Sequence, residues 1–73
     1  MVAFQVWQEH GLTGNDLLPR DTAKQEIEKY CNELGKKGQE KDNLLKQIWA
    51  ELEDEEAIKP FRFVDCLKMA RGN

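Results

Sequence analysis

The stretch from Gln39 to Asp54 constrains the fold more than any other part of the chain. Four of its large apolar residues follow the i, i+3, i+4, i+7 spacing that gathers side chains into one stripe on an α-helix: Leu45, Ile48, Trp49 and Leu52. Charged and amide side chains take most of the other positions. The pattern predicts an amphipathic helix that turns this stripe inward, with Trp49 as its largest anchor.

A second helical pattern covers residues 21–34. Its apolar positions form a stripe of five residues: Ala23, Ile27, Tyr30, Cys31 and Leu34. Thr22 and Gln25 have the spacing of a capping box at its start, and Gly35 suits its end. Because the link of residues 35–38 is short, we expect this helix and the central one to form an antiparallel hairpin.

A third helix is predicted over residues 60–70. The central helix should stop near Asp54, since the next positions on its apolar face are Glu56 and Lys59. Pro60 suits the first turn of a new helix, where its missing N–H needs no partner. Apolar residues then occupy more than half of the circumference: Phe61, Phe63, Val64, Cys66, Leu67 and Ala70. Either the N-terminal segment or a second chain must cover so wide an arc.

The first nine residues fit two periodicities. A strand would place Trp7 on the solvent side, whereas a helix groups the apolar residues on one arc, so we prefer a short helix that ends at His10 and Gly11. Residues 12–20 contain turn-forming residues, with Leu17 and Leu18 as hydrophobic anchors. The prediction is an all-α fold in a single helical domain, 1–73: a small bundle of three main helices with a short N-terminal helix.

The length and net charge of the chain limit the classes of function that it can have. A core built from 73 residues supplies only a few kcal/mol of stability, so pairing with a second copy is a realistic expectation. The net charge of −3 argues against a protein whose main task is to neutralise phosphates. The chain has no apolar run long enough to span a bilayer and no basic, apolar start typical of a secretory signal, so we expect a cytoplasmic protein without membrane contact.

Groups for catalysis or metal binding are scarce. The chain has one histidine, His10, and no serine, and its two cysteines lie in helical apolar stripes. We expect Cys31 and Cys66 to be buried free thiols, and the alternative is that they form a disulfide or bind a metal. If the chain were an enzyme, the candidate catalytic groups would be His10 paired with one of these cysteines. No zinc, calcium or phosphate-binding spacing is present. The sequence therefore predicts no enzyme, no cofactor and no metal site.

The surplus of large aromatic residues suggests a binding role. Four of them either complete the core or contribute to an exposed protein interface: Phe4, Trp7, Phe61 and Phe63. We expect a small non-catalytic adaptor or regulator that binds another protein or pairs with itself as a homodimer. The alternative is a nucleic-acid-binding regulator, which would use the basic residues on and around the last helix: Lys59, Arg62, Lys68 and Arg71.

A wider pattern runs through the two central helices. It reads IxxYxxxL, then EKxxLLxxIW, then EE, and its residues are Ile27, Tyr30, Leu34, Glu40, Lys41, Leu44, Leu45, Ile48, Trp49, Glu55 and Glu56. Over residues 21–67 the chain resembles short helical-bundle proteins of spore-forming bacteria, in which a Leu-Trp helix precedes an acidic junction. The resemblance implies a helical bundle and carries no known activity. Pro60 and the two phenylalanines after it depart from the pattern.

Overall fold

A computed structural model describes residues 3–72 of the chain. Within them, four helices and one two-stranded sheet follow one another as α1 (Ala3–Glu9), β1 (Leu18–Pro19), α2 (Arg20–Glu33), α3 (Gly38–Leu52), β2 (Ala57–Ile58) and α4 (Pro60–Arg71). The predicted all-α bundle with a short N-terminal helix is confirmed. Met1 and Val2, the start of the predicted N-terminal helix, lie outside the described residues.

Helices α2 and α3 form the predicted antiparallel hairpin. At one end, Arg20 Nη1 donates a hydrogen bond to the carbonyl oxygen of Glu53 at 3.0 Å. Further along, Lys41 Nζ lies 3.3 Å from Glu28 Oε1. The start of α2 therefore lies beside the end of α3, and the later part of α2 lies beside the start of α3, which is the antiparallel arrangement. Gly35 makes the reversal possible because its φ of +81° lies in the left-handed region, which residues with a Cβ avoid.

Helix α1 covers the apolar arc of α4. The rings of Trp7 and Phe63 meet edge to face, and both side chains are buried. The residues of α4 that enter the core are Phe63, Cys66, Leu67 and Ala70. Of the two ways to cover this helix, packing by the chain's own N-terminal segment is therefore the one found. Phe61, by contrast, points away from the core and is 62% exposed.

A short antiparallel sheet ties the two long connections together, which sequence reasoning missed. Leu18 pairs with Ile58 and Pro19 with Ala57, and both Leu18 and Ile58 are buried. Pro19 is tolerated because edge strands can leave a position without a donor. Leu18 is thus the anchor of the predicted loop, whereas Leu17 remains 46% exposed.

Two expectations about the ends of α2 are wrong. The helix begins at Arg20 after Pro19, and its first turn has no side-chain cap, so Thr22 and Gln25 form no capping box there. Sheet pairing explains this start, since the Arg20 N–H donates to the carbonyl oxygen of Glu56 at 2.9 Å. At the other end, Leu34 was expected in the core but follows the last helical residue and is 40% exposed.

The stripe on α3 faces the core as predicted for three of its four residues. Leu45, Ile48 and Leu52 are buried, but Trp49 packs against the core with only part of its surface. On a helix that turns about 100° per residue, Leu44 and Trp49 occupy the two edges of this apolar face. Both edge residues are partly exposed, so the expectation that Trp49 is the main buried anchor of α3 is corrected.

Candidate functional site

Trp49 lines two grooves, one between α2 and α3 and the other along α3. The larger has a volume of about 440 Å³ and is lined by Arg20, Lys24, Lys46, Trp49, Ala50 and Glu53. The second has a volume of about 380 Å³ and is lined by Gln39, Asp42, Leu45, Lys46 and Trp49. The two grooves share Lys46 and Trp49, and together we call them the Trp49 surface.

Helical spacing explains why these side chains share a face. Asp42, Lys46, Trp49 and Glu53 follow one another at intervals of four, three and four residues, which keeps them on one side of α3. Lys24 joins them from α2, with its Nζ 5.4 Å from the centroid of the Trp49 ring. A cation over an indole face is attracted by the ring's electron density. The contact places a positive charge over the ring of Trp49.

The larger groove is basic although the whole chain is acidic. Arg20, Lys24 and Lys46 line it with Glu53 as the single carboxylate, whereas the net charge of the chain is −3. Among the ion pairs formed within residues 3–72, none involves these three cations. Lys24 and Lys46 therefore have no carboxylate partner within residues 3–72, while Arg20 caps α3 through the carbonyl of Glu53.

The aromatic residues singled out in the sequence do not form one surface. Trp7 and Phe63 are buried against each other and belong to the core, which corrects their candidacy as exposed interface residues. Phe4 and Phe61 are 64% and 62% exposed, so they remain available on the surface. Neither of them lines the Trp49 surface.

The basic residues of the nucleic-acid alternative are also separated. Arg62 donates to the Glu51 carbonyl oxygen at 2.7 Å, and its Nε lies 3.3 Å from Glu55 Oε1, so its charge is largely balanced within the fold. Arg71 is nine residues further along α4, which places it about 180° around the helix. There its Nη1 donates to Tyr30 Oη at 3.4 Å.

The other two basic residues, Lys59 and Lys68, do not join Arg62 and Arg71 on a common face. Lys59 precedes the first residue of α4, and its Nζ lies 5.9 Å from the centroid of the Phe61 ring. Lys68 is exposed on α4, but the helix turns about 120° between it and Arg62. The four cations therefore do not line up as a single strip for a phosphate backbone.

The thiols are free and buried, as predicted. Burial raises the pKa of the Cys66 thiol to about 11 and raises that of Cys31 above its ordinary value. At neutral pH both sulfurs are therefore protonated, which is the opposite of an activated nucleophile. His10 Nε2 lies 3.3 Å from Glu26 Oε1, so its closest ionisable partner in this structure is a carboxylate.

Residues 3–72 contain neither a cluster of metal ligands nor a membrane-spanning helix. Within residues 3–72, no group of three or more His, Cys, Asp or Glu side chains is arranged to hold a metal ion. Across the same residues, no helix combines the length and the apolar character needed to cross a membrane.

Sequence reasoning missed the Trp49 surface because it treated Trp49 as a core anchor. One local signal was available: Trp49 is the outermost member of its stripe, and Lys46 lies three residues before it. The contribution of Lys24 and Arg20 depends on how α2 packs, which no local pattern specifies. Comparison of the chain with protein-family models, curated proteins and solved structures gives no match, so the chemistry of this surface is the main guide to function.

Proposed function

We propose that this protein is a small non-catalytic adaptor or regulator that binds another protein through the Trp49 surface. One observation carries the proposal: a tryptophan remains partly exposed in a groove, beside lysines that have no carboxylate partner among residues 3–72. Tryptophan and arginine are enriched among the residues that contribute most to protein interfaces. A partner that covers Trp49 would remove the rest of its apolar area from water.

The remaining groups of the chain support binding rather than chemistry. The two thiols have raised pKa values because they are buried, and His10 faces the carboxylate of Glu26. A buried thiol that stays protonated at neutral pH is a poor nucleophile.

The test is affinity capture from native lysate with the wild-type chain and three variants. Trp49→Ala removes the aromatic ring, and Lys46→Glu reverses a charge that is exposed on the same surface. Lys68→Glu is the matched control, because it makes the same charge change at an exposed position of α4. Circular dichroism of each variant establishes that it is folded before capture.

We expect the wild type and Lys68→Glu to capture the same partner protein. Trp49→Ala and Lys46→Glu should fail to capture it. A hot-spot aromatic typically accounts for about 2 kcal/mol or more of binding free energy, enough for a clear loss of recovery. Recovery of the same proteins with all four chains, or of none with the wild type, would contradict the proposal.

A further inference from the structure

We propose that the partner segment bound at the Trp49 surface is a short acidic peptide that carries one large apolar side chain. This inference rests on the proposed function and adds the chemistry of the partner. The apolar side chain would pack against Trp49, and the carboxylates on either side of it would pair with Lys24, Lys46 and Arg20.

The charges around the groove define what it attracts. Lys24 and Lys46 reach it from two different helices, so carboxylates on both sides of an extended peptide can be paired. Two other lysines of the hairpin form ion pairs, Lys36 with Glu40 and Lys41 with Glu28. Lys24 and Lys46, in contrast, form no ion pair within residues 3–72 and line the same groove as Trp49.

The shape of the surface accounts for the apolar side chain. Trp49 lines both grooves, and the small or apolar residues that join it are Ala50 in the larger groove and Leu45 in the second. Ala50 leaves space beside the indole because it ends at Cβ. A large aliphatic or aromatic side chain can enter that space and contact the ring, which gives the affinity that charge pairs at an exposed site do not supply alone.

Each groove also contains one carboxylate. Asp42 lines one groove and Glu53 the other. Eleven residues of helix separate them, or roughly 16 Å along the axis. An extended peptide covers that distance with about five residues. A short acidic segment fits between the two carboxylates, whereas a continuous phosphate backbone would run over both of them.

A second copy of this chain is a less favourable occupant. The acidic run of residues 53–56 is the obvious donor of carboxylates, and within it the Glu55 carboxylate already pairs with Arg62. Two copies facing each other at Trp49 would also bring their Lys24 side chains together.

The experiment follows the two indole N–H resonances of the wild-type protein by NMR during a peptide titration. The probe is a capped five-residue peptide with a central phenylalanine flanked by glutamates, and matched peptides carry lysine or glutamine instead. Trp7 serves as the internal control, because its buried Nε1 donates to the Asp16 carbonyl oxygen at 2.9 Å. A Trp49→Phe variant assigns the two resonances.

We expect the acidic peptide to shift the Trp49 resonance saturably and to leave that of Trp7 in place. Raising the salt concentration from about 0.05 M to about 0.5 M should weaken binding several-fold, because exposed charge pairs are screened. Lys46→Glu should weaken it by about five-fold or more, since a pairing becomes a repulsion worth on the order of 1 kcal/mol. Lys68→Glu should leave it unchanged.

Four results would overturn the inference: no shift, equal binding of the lysine peptide, tighter binding of a single-stranded oligonucleotide, or a dimer in sedimentation that buries Trp49 without peptide. If lysate capture still depends on Trp49 while acidic peptides fail to bind, the partner chemistry is wrong and the proposed function stands. If capture is also independent of Trp49, the proposed function fails as well.

Discussion

Trp7 and Phe63 join the N-terminal helix to the C-terminal one. Their ring centroids are 5.4 Å apart and their planes are inclined by 67°, the edge-to-face geometry that aromatic pairs favour. The Trp7 Nε1 also donates to the carbonyl oxygen of Asp16, so the same side chain holds the connection after α1. A single residue of a seven-residue helix thus links α1, its following loop and α4.

Phe63→Ala should destabilise the protein far more than Phe61→Ala. Phe63 is fully buried, and truncating such a side chain costs about 3–5 kcal/mol, which is comparable to the total stability of a domain this small. Phe63→Leu keeps much of the volume and should cost about 1.5 kcal/mol or less, so it remains measurable by urea denaturation. Phe61→Ala, at an exposed position, should stay within about 0.5 kcal/mol. A loss of stability for Phe61→Ala as large as that for Phe63→Ala would contradict this packing.

Gly35→Ala should lower the free energy of unfolding by about 1 kcal/mol. Its φ of +81° is the only obstacle, because a Cβ at this position would meet no atom within 4 Å. Gly14→Ala is the matched control, since Gly14 also has open space around it but does not have a positive φ. Chemical denaturation of both variants should show a loss for Gly35→Ala alone. Similar losses would mean that backbone conformation is not the cause.

Asp16 should make stability depend on pH in the acid range. Its carboxylate accepts hydrogen bonds from the backbone N–H of Thr13 at 2.7 Å and from the Thr13 hydroxyl at 3.0 Å, which lower its pKa below 3.8. The folded state therefore binds a proton on the Asp16 carboxylate less tightly than the unfolded state does. The stabilisation that this carboxylate gives to the fold is present above pH 3.8 and is lost as the pH falls through the pKa of the folded state.

The measurement compares Tm for the wild type and Asp16→Asn between about pH 6 and pH 2. We expect the wild type to have the higher Tm at the upper end of this pH range. The difference in Tm should shrink as the pH falls and Asp16 becomes protonated. A difference that stays constant over the whole range would exclude the proposed role of the carboxylate.

The buried thiols should be slow to react and should couple stability to alkaline pH. Burial raises the pKa of Cys66 from 9.0 to about 11, so folding favours its protonated form. The stabilisation is therefore complete below pH 9 and declines as the pH rises toward 11. Cys66→Ala should remove this part of the decline. Labelling with a disulfide reagent near pH 8 should be slow in the native state and fast in urea, and rapid native labelling would contradict the burial.

Local periodicity was enough to predict the helices but not the exposure of their edge residues. Residues 21–34, 39–54 and 60–70 were predicted as helices, and the observed boundaries differ by no more than two residues. Leu44 and Trp49 lie at the margins of the α3 stripe, where burial depends on how closely a neighbouring helix approaches. Trp49 remained partly exposed because α2 brings lysine and arginine side chains to that margin rather than apolar ones.

The sequence by itself determined the number, type and approximate limits of the helices, because apolar spacing, turn glycines and Pro60 act over a few residues. Only the tertiary structure decided the pairing of Leu18 with Ile58, the cover of α4 by α1, and the position of Lys24 over Trp49. Each of these contacts joins residues far apart in the chain. Their formation depends on how all the apolar faces are buried at once, which no single segment encodes.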